Sequence, residues 1–238
     1  PGPQASWLGW ETVFVVAAFA LPGVAGALGL LVKHIVTGRG LDQFALPIKH
    51  HPGASVVVLI ISYVTTATVV PIALLLLART GQRPAALGLS VRNWRRDVAG
   101  GLGLLAGVWV ANLVTVVPLF TLLGNSLTNP QNNSHVPAYF VVYGLSVAVT
   151  TAINEEVVVN GYFLTRLAQL GYSPRLSLAI SLLVRTSYHV YYGLGFLATV
   201  PFGYVVTRSF QKRGRLSRPI LAHFLYDGIL LTVAVLTS

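Results

Sequence analysis

The sequence predicts an all-α fold, a polytopic transmembrane helix bundle of about seven spans. Three observations lead there. The chain is 54% hydrophobic and only 9% charged, whereas soluble domains carry roughly 25% charged residues. Its mean hydropathy is +0.71. Apolar stretches long enough to cross a ~30 Å hydrocarbon layer recur along all 238 residues.

The first stretch, roughly 10–33, is too long for a signal peptide and lacks a basic leader, so it reads as a span. The second, roughly 55–78, stops at Arg79. The third, roughly 97–123, follows Arg92-Asn93-Trp94-Arg95-Arg96, whose Trp and Arg read as an interfacial anchor. The remaining four run over roughly 137–165, 176–192, 194–210 and 219–237. Pro22, Pro71, Pro118 and Pro201 are expected to kink spans. No repeat and no further soluble domain are evident, so residues 1–238 read as one transmembrane domain with a motif-bearing core over about 137–238. The chain contains no methionine, and its start at Pro1 reads as that of a chain whose first residues have been removed.

Charge sets the expected orientation. Arg79, Arg83, Arg92, Arg95 and Arg96 follow the second span, Arg166 and Arg175 the fourth, and Arg208, Lys212, Arg213, Arg215 and Arg218 the sixth. These loops alternate along the chain, share one side, and mark it as cytoplasmic. The loop from Gly124 to Val136 has no Lys or Arg and belongs outside, while Lys33, Arg39 and Lys49 on that outer side run against the rule. The expected location is a bacterial inner (plasma) membrane, N-terminus cytoplasmic. The net charge of +10 sits in these loops, so it points to membrane lipid as partner and not to nucleic acid. Absence of Cys excludes disulfides and thiolate chemistry. Asn132-Asn133-Ser134 matches a glycosylation sequon, a short motif with little weight alone.

Against this apolar background stand Glu155 and Glu156 in the fourth stretch, His189 in the fifth, and His223 with Asp227 in the last. An Asp at the bilayer centre costs ~2.5–3.5 kcal/mol even on the permissive insertion scale, so intramembrane ionisable groups are functional candidates by default. Helix rise places Glu156 ~15 Å from Arg166, His189 ~18 Å from Ser177 and Asp227 ~13 Å from Arg218. Similar depth on three helices suggests one site, open more to the cytoplasmic side. His223 and Asp227, four apart, share a helix face, as do Arg185 and His189. Glu155 and Glu156 should diverge by ~100°, one facing the reacting centre and the other a supporting partner such as Asn160. Two carboxylates and two imidazoles can activate water, a glutamate acting as general base and a histidine stabilising an oxyanion. His189, His223 and Asp227 are equally a possible zinc ligand set, leaving zinc an open alternative. Tyr188, Tyr191 and Tyr192 read as packing or interface aromatics, although a Tyr hydroxyl could line the cavity. His34, His50, His51 and His135 read as solvated loop residues.

Three motifs stand in order on successive apolar stretches: Glu155-Glu156-Val157-Val158-Val159-Asn160, Arg185-Thr186-Ser187-Tyr188-His189 and His223-Phe224-Leu225-Tyr226-Asp227. Together they resemble the CPBP family, the CAAX proteases and bacteriocin-processing proteins also called Abi, over about Val98 to the C-terminus. The family pattern is Glu-Glu-x-x-x-Arg, Phe-x-x-x-His and His-x-x-x-Asn or Asp. The resemblance implies intramembrane endopeptidase activity on a peptide or membrane-protein substrate. Glu155 matches the water-activating glutamate, His189 its assisting histidine, and Glu156 the second glutamate. His223 and Asp227 match residues assigned either to oxyanion stabilisation or to metal ligation. Asn160 departs from the family's Arg and Arg185 from its Phe. We expect the departures to be linked, Arg185 returning the lost guanidinium from the neighbouring helix, with pairing to Asp227 as the rival. The alternative functions are a catalytically silent scaffold or immunity protein and a proton- or cation-coupled transporter.

Overall fold

The computed structural model describes residues 3–37, 52–122, 139–190 and 196–236. The described residues are helical apart from turns and connections, with no strand among them. Helices α1 (Pro3–Thr37), α2 (Pro52–Arg79) and α3 (Trp94–Leu122) come first, with a 3₁₀ turn at Val91–Asn93. Helix α4 (Tyr139–Glu155) continues without a break through a π-helical stretch, Glu156–Phe163, into α5 (Leu164–Gln169). Helices α6 (Pro174–Ser187), α7 (Thr199–Arg213) and α8 (Ser217–Leu236) complete seven rods among the described residues. The Lys33–Lys49 connection beyond Thr37, the 124–136 loop with its sequon, His50, His51, His135, Tyr191 and Tyr192 lie outside the described residues, while His34, read from the sequence as a loop residue, falls within α1 because the helix runs on to Thr37.

Within the described residues, three rods combine the length and hydropathy of a span: Leu59–Arg79, Trp94–Leu122 and Val141–Gln169. They establish the apolar helices of an integral membrane protein. Helices α6 and α7 are 14 and 15 residues long, so they rise only ~21–23 Å, short of a ~30 Å hydrocarbon layer. The buried residues of α6 are Ser177, Ser181 and Arg185, while Leu176 and Leu183 face outward. Its polarity points inward, as expected where the surrounding solvent is lipid and the interior carries the polar groups.

Local chemistry sets several ends. Ser173 caps α6 by accepting the Leu176 N–H, with Pro174 in the first turn. Gly214, at φ 59°, closes α7 in the left-handed conformation. Pro201 falls in the first turn of α7, where a missing N–H costs no hydrogen bond, so it needs no kink. Gly88 lets the loop after α2 press against the Gly214–Arg215 backbone, where any Cβ would clash. Beside it the Leu216 N–H donates to Leu87 O at 2.8 Å.

Polar contacts bring the arginine-bearing ends together. Asp97 at the start of α3 pairs with Arg215 and Arg218 around the α7–α8 turn. Glu11 near the start of α1 meets Arg166 in α5, which also reaches Thr80 and the Leu76 carbonyl at the end of α2. Arg166 therefore corrects the sequence reading: it is a fully buried residue of the core, and not a loop charge. Glu11 gives the physical reason, since a carboxylate about two turns into α1 supplies the counter-charge that burial demands.

Candidate functional site

The π-helical stretch builds the centre of the site. Its i→i+5 pattern places more residues in each turn than an α-helix does, so adjacent side chains diverge less. All eight of its residues are buried, as is Glu155 just before it. The expected divergence of Glu155 and Glu156 is overcome by a single guanidinium. Arg185 Nη1 donates to Glu155 Oε2 at 2.8 Å and Nη2 to Glu156 Oε1 at 3.0 Å. The rigid, planar fork presents one N–H donor to each carboxylate. Arg185 therefore comes from the neighbouring helix to the glutamate pair, while Asp227 faces His223 instead.

Glu156 is completely enclosed. Its Oε1 also meets His223 Nδ1 at 2.8 Å, and its Oε2 accepts a short hydrogen bond from Asn160 Nδ2. Thr207 Oγ1 in α7 donates to Asn160 Oδ1 at 2.8 Å, which fixes the amide orientation. On its other side His223 Nε2 lies 3.3 Å from Asp227 Oδ2. The chain thus runs Thr207–Asn160–Glu156–His223–Asp227, joining the π-helical stretch, α7 and α8. The Phe202 ring packs 4.7 Å from His223 and 5.5 Å beneath the Arg185 guanidinium carbon.

Glu155 is held differently. Tyr188 OH donates to its Oε2 at 3.0 Å, beside Arg185. Its other oxygen, Oε1, lies 3.6 Å from His189 Nε2, beyond direct hydrogen-bond range. His189 Nδ1 lies 2.7 Å from the Arg185 carbonyl. A carbonyl only accepts, so this nitrogen carries the proton, and Nε2 of a neutral ring presents a lone pair towards Glu155. Glu155 Oε1 and His189 Nε2 thus face each other across 3.6 Å.

The structure therefore gathers Glu155, Glu156, Asn160, Arg185, His189, His223 and Asp227 into one network. Among the described residues, no group of three or more His, Asp or Glu is arranged to hold a metal. The reason is local: His223 faces a carboxylate at each nitrogen, while His189 sits on Glu155. For the same reason His223 cannot donate to an oxyanion without releasing a carboxylate. Tyr188 is a direct partner of Glu155 as well as a packing aromatic; its place immediately before His189 was the available signal. Thr207 and Phe202 had none, since nothing in their spacing links them to the motifs.

Residues 137–229 match the family model of the type II CAAX prenyl endopeptidases, Rce1-like. This is the CAAX-protease group within the CPBP (Abi) family that the three motifs resemble. The matched segment carries every residue of the network and leaves α1–α3 outside it. No curated protein and no solved structure matches the chain.

Proposed function

We propose that this protein is an intramembrane endopeptidase of the CAAX-protease type, in which Glu155 and His189 activate a water against a peptide carbonyl. The observation that carries this reading is the 3.6 Å separation of Glu155 Oε1 and His189 Nε2. One water donating to both is polarised towards attack. Its proton passes to this pair as the C–O bond forms, and from there to the departing amine as the peptide bond breaks. Tyr188 and Arg185 hold the opposite edge of the carboxylate, so Oε1 is presented in one orientation. Glu156, Asn160, His223 and Asp227 position Arg185 and thereby Glu155; none of them needs to touch substrate.

The chain is one domain with its motif core over about 137–238, and its seven rods include shorter elements, α6 and α7, that line the site within the membrane. The joined arginine-bearing ends face the cytoplasm, with the N-terminus on that side. The return of the guanidinium through Arg185 supports a working site over a silent one. Incubating the purified protein in lipid nanodiscs with membrane-anchored and soluble peptides in ¹⁸O-water tests this. Cleavage with ¹⁸O in the new carboxylate, lost in His189→Ala, is the expected result. Cleavage unaffected by that substitution would remove His189 from the reaction.

A further inference from the structure

The Glu155 side chain is 6% exposed and that of Glu156 fully enclosed, yet peptide hydrolysis consumes one water per turnover. A supply route is needed, and α6 carries its features. Ser177, Ser181 and Arg185 stand at intervals of four along one face, at 4%, 0% and 1% exposure. Ser177 Oγ, Ser181 Oγ and Arg185 Nε are buried polar atoms without a hydrogen-bond partner among the described residues. These three atoms form a row ending at the guanidinium that grips both glutamates.

Ser217 Oγ at the start of α8 is likewise without a partner among the described residues, but only on this face do such atoms follow one another at successive turns. Elsewhere Thr12, Thr66, Thr115, Ser146 and Thr165 each donate back to the carbonyl four residues earlier. Helical serines can close on their own backbone in this way, and a purely space-saving role between packed helices would leave Ser177 and Ser181 free to do so. Buried polar groups without protein partners are satisfied by water. Successive members are ~6 Å apart along the helix, a gap that about two hydrogen-bonded steps of ~2.8 Å cover. One end lies near the exposed start of α6, where Gln211 Nε2 donates to the Pro174 carbonyl at 2.8 Å. The other is Arg185 Nε.

We propose that Ser177, Ser181 and Arg185 Nε bind a file of water that leads from the arginine-bearing end of the bundle to the glutamate pair. It supplies the hydrolytic water to the enclosed glutamate pair. The water file stands on the unpartnered atoms alone; its use in turnover rests on the peptidase reading.

X-ray hydroxyl-radical footprinting in nanodiscs tests it, since ordered internal water labels the side chains beside it. Phe202 is 5% exposed; it should be labelled at least tenfold more strongly than Leu77, which is fully buried elsewhere. Ser181→Val should abolish that excess and lower kcat about tenfold with KM unchanged, because the bound substrate is untouched and the water step slows. Ser181→Ala, which removes the hydroxyl without adding bulk, covers the case in which valine prevents folding, and should reduce labelling in the same direction. Labelling of Phe202 no stronger than that of Leu77, or unchanged in both variants, overturns the proposal. Labelling as expected in a protein that cleaves no peptide would leave the water file standing and remove the peptidase reading.

Discussion

Two arginines among the described residues are fully buried, and they are buried in opposite ways. Around Arg166 every nitrogen has a partner. Nε and Nη2 donate to Glu11 Oε1, Nη1 to Thr80 Oγ1 and Gln169 Oε1, and Nη2 also to the Leu76 carbonyl. Tyr162 OH donates to the same Glu11 oxygen, and its ring lies 5.1 Å from the guanidinium carbon. Around Arg185 one guanidinium serves two carboxylates, Nε has no partner among the described residues, and an imidazole stands off from Glu155 at 3.6 Å. The first arrangement is closed and can only hold α1, α2 and α5 together. The second leaves hydrogen-bonding capacity unspent, which suits groups that must meet water. Burial of charge does not by itself mark a reactive centre; incomplete satisfaction separates the two.

That contrast can be broken from either side. The largest effect is expected at the closed cluster. Arg166→Leu strands Glu11 and should lower stability by about 3–5 kcal/mol, as breaking a buried pair does. Unfolding in mixed micelles of rising SDS content measures the loss, while cleavage per folded molecule should stay at the parent level. Combining it with Glu11→Leu should recover most of the loss, because no unpaired charge then remains.

A smaller and more specific effect is expected at the open cluster. Asn160→Arg or Arg185→Phe alone should each impair cleavage, the first by placing two guanidinium groups in one enclosed space and the second by leaving Glu155 and Glu156 without a cation. The double variant restores the arrangement usual in the family and should recover activity over either single variant. A double variant no better than the worse single one would show that the two departures are independent.

The smallest effect is expected at the rim. Asp97→Asn weakens the pairing to Arg215 and Arg218, whose side chains are 23% and 13% exposed. Asp97 is itself only 7% exposed, but the amide keeps an acceptor and both guanidinium groups reach solvent, so no charge is stranded and the loss should be about 1 kcal/mol. The loss should shrink further in high salt, and cleavage should be unchanged.

Much of this was legible in the sequence, for identifiable reasons. The long rods were, because the lipid-facing surface must be apolar over long runs: the stretches predicted over 55–78, 97–123 and 137–165 fall on the three rods with the length and hydropathy of a span, whereas those over 176–192 and 194–210 overlap the shorter α6 and α7. Glu155, His189 and His223 were, because charge within such runs is costly and therefore conspicuous. The Arg185 partnership followed from the same cost, since a buried guanidinium needs a carboxylate. The role of Arg166 was not legible: at the end of an apolar run, a residue snorkelling to the surface and one buried against Glu11 look alike. Nor was the engagement of His223 by carboxylates at both nitrogens, which depends on how α8 is rotated against the π-helical stretch. Spacing fixes which residues of one helix share a face, but not what that face meets.

The account rests on Glu155 as the group that activates water. Its most direct test is the single-turnover cleavage rate of Glu155→Gln beside the parent in nanodiscs, with unfolding measured on the same samples. The amide keeps the size of the side chain but cannot take a proton from water. Loss of a general base typically costs about 10²–10⁴-fold in rate, and we predict a loss in that range with the fold intact. Cleavage at the parent rate by a folded Glu155→Gln protein would contradict the account.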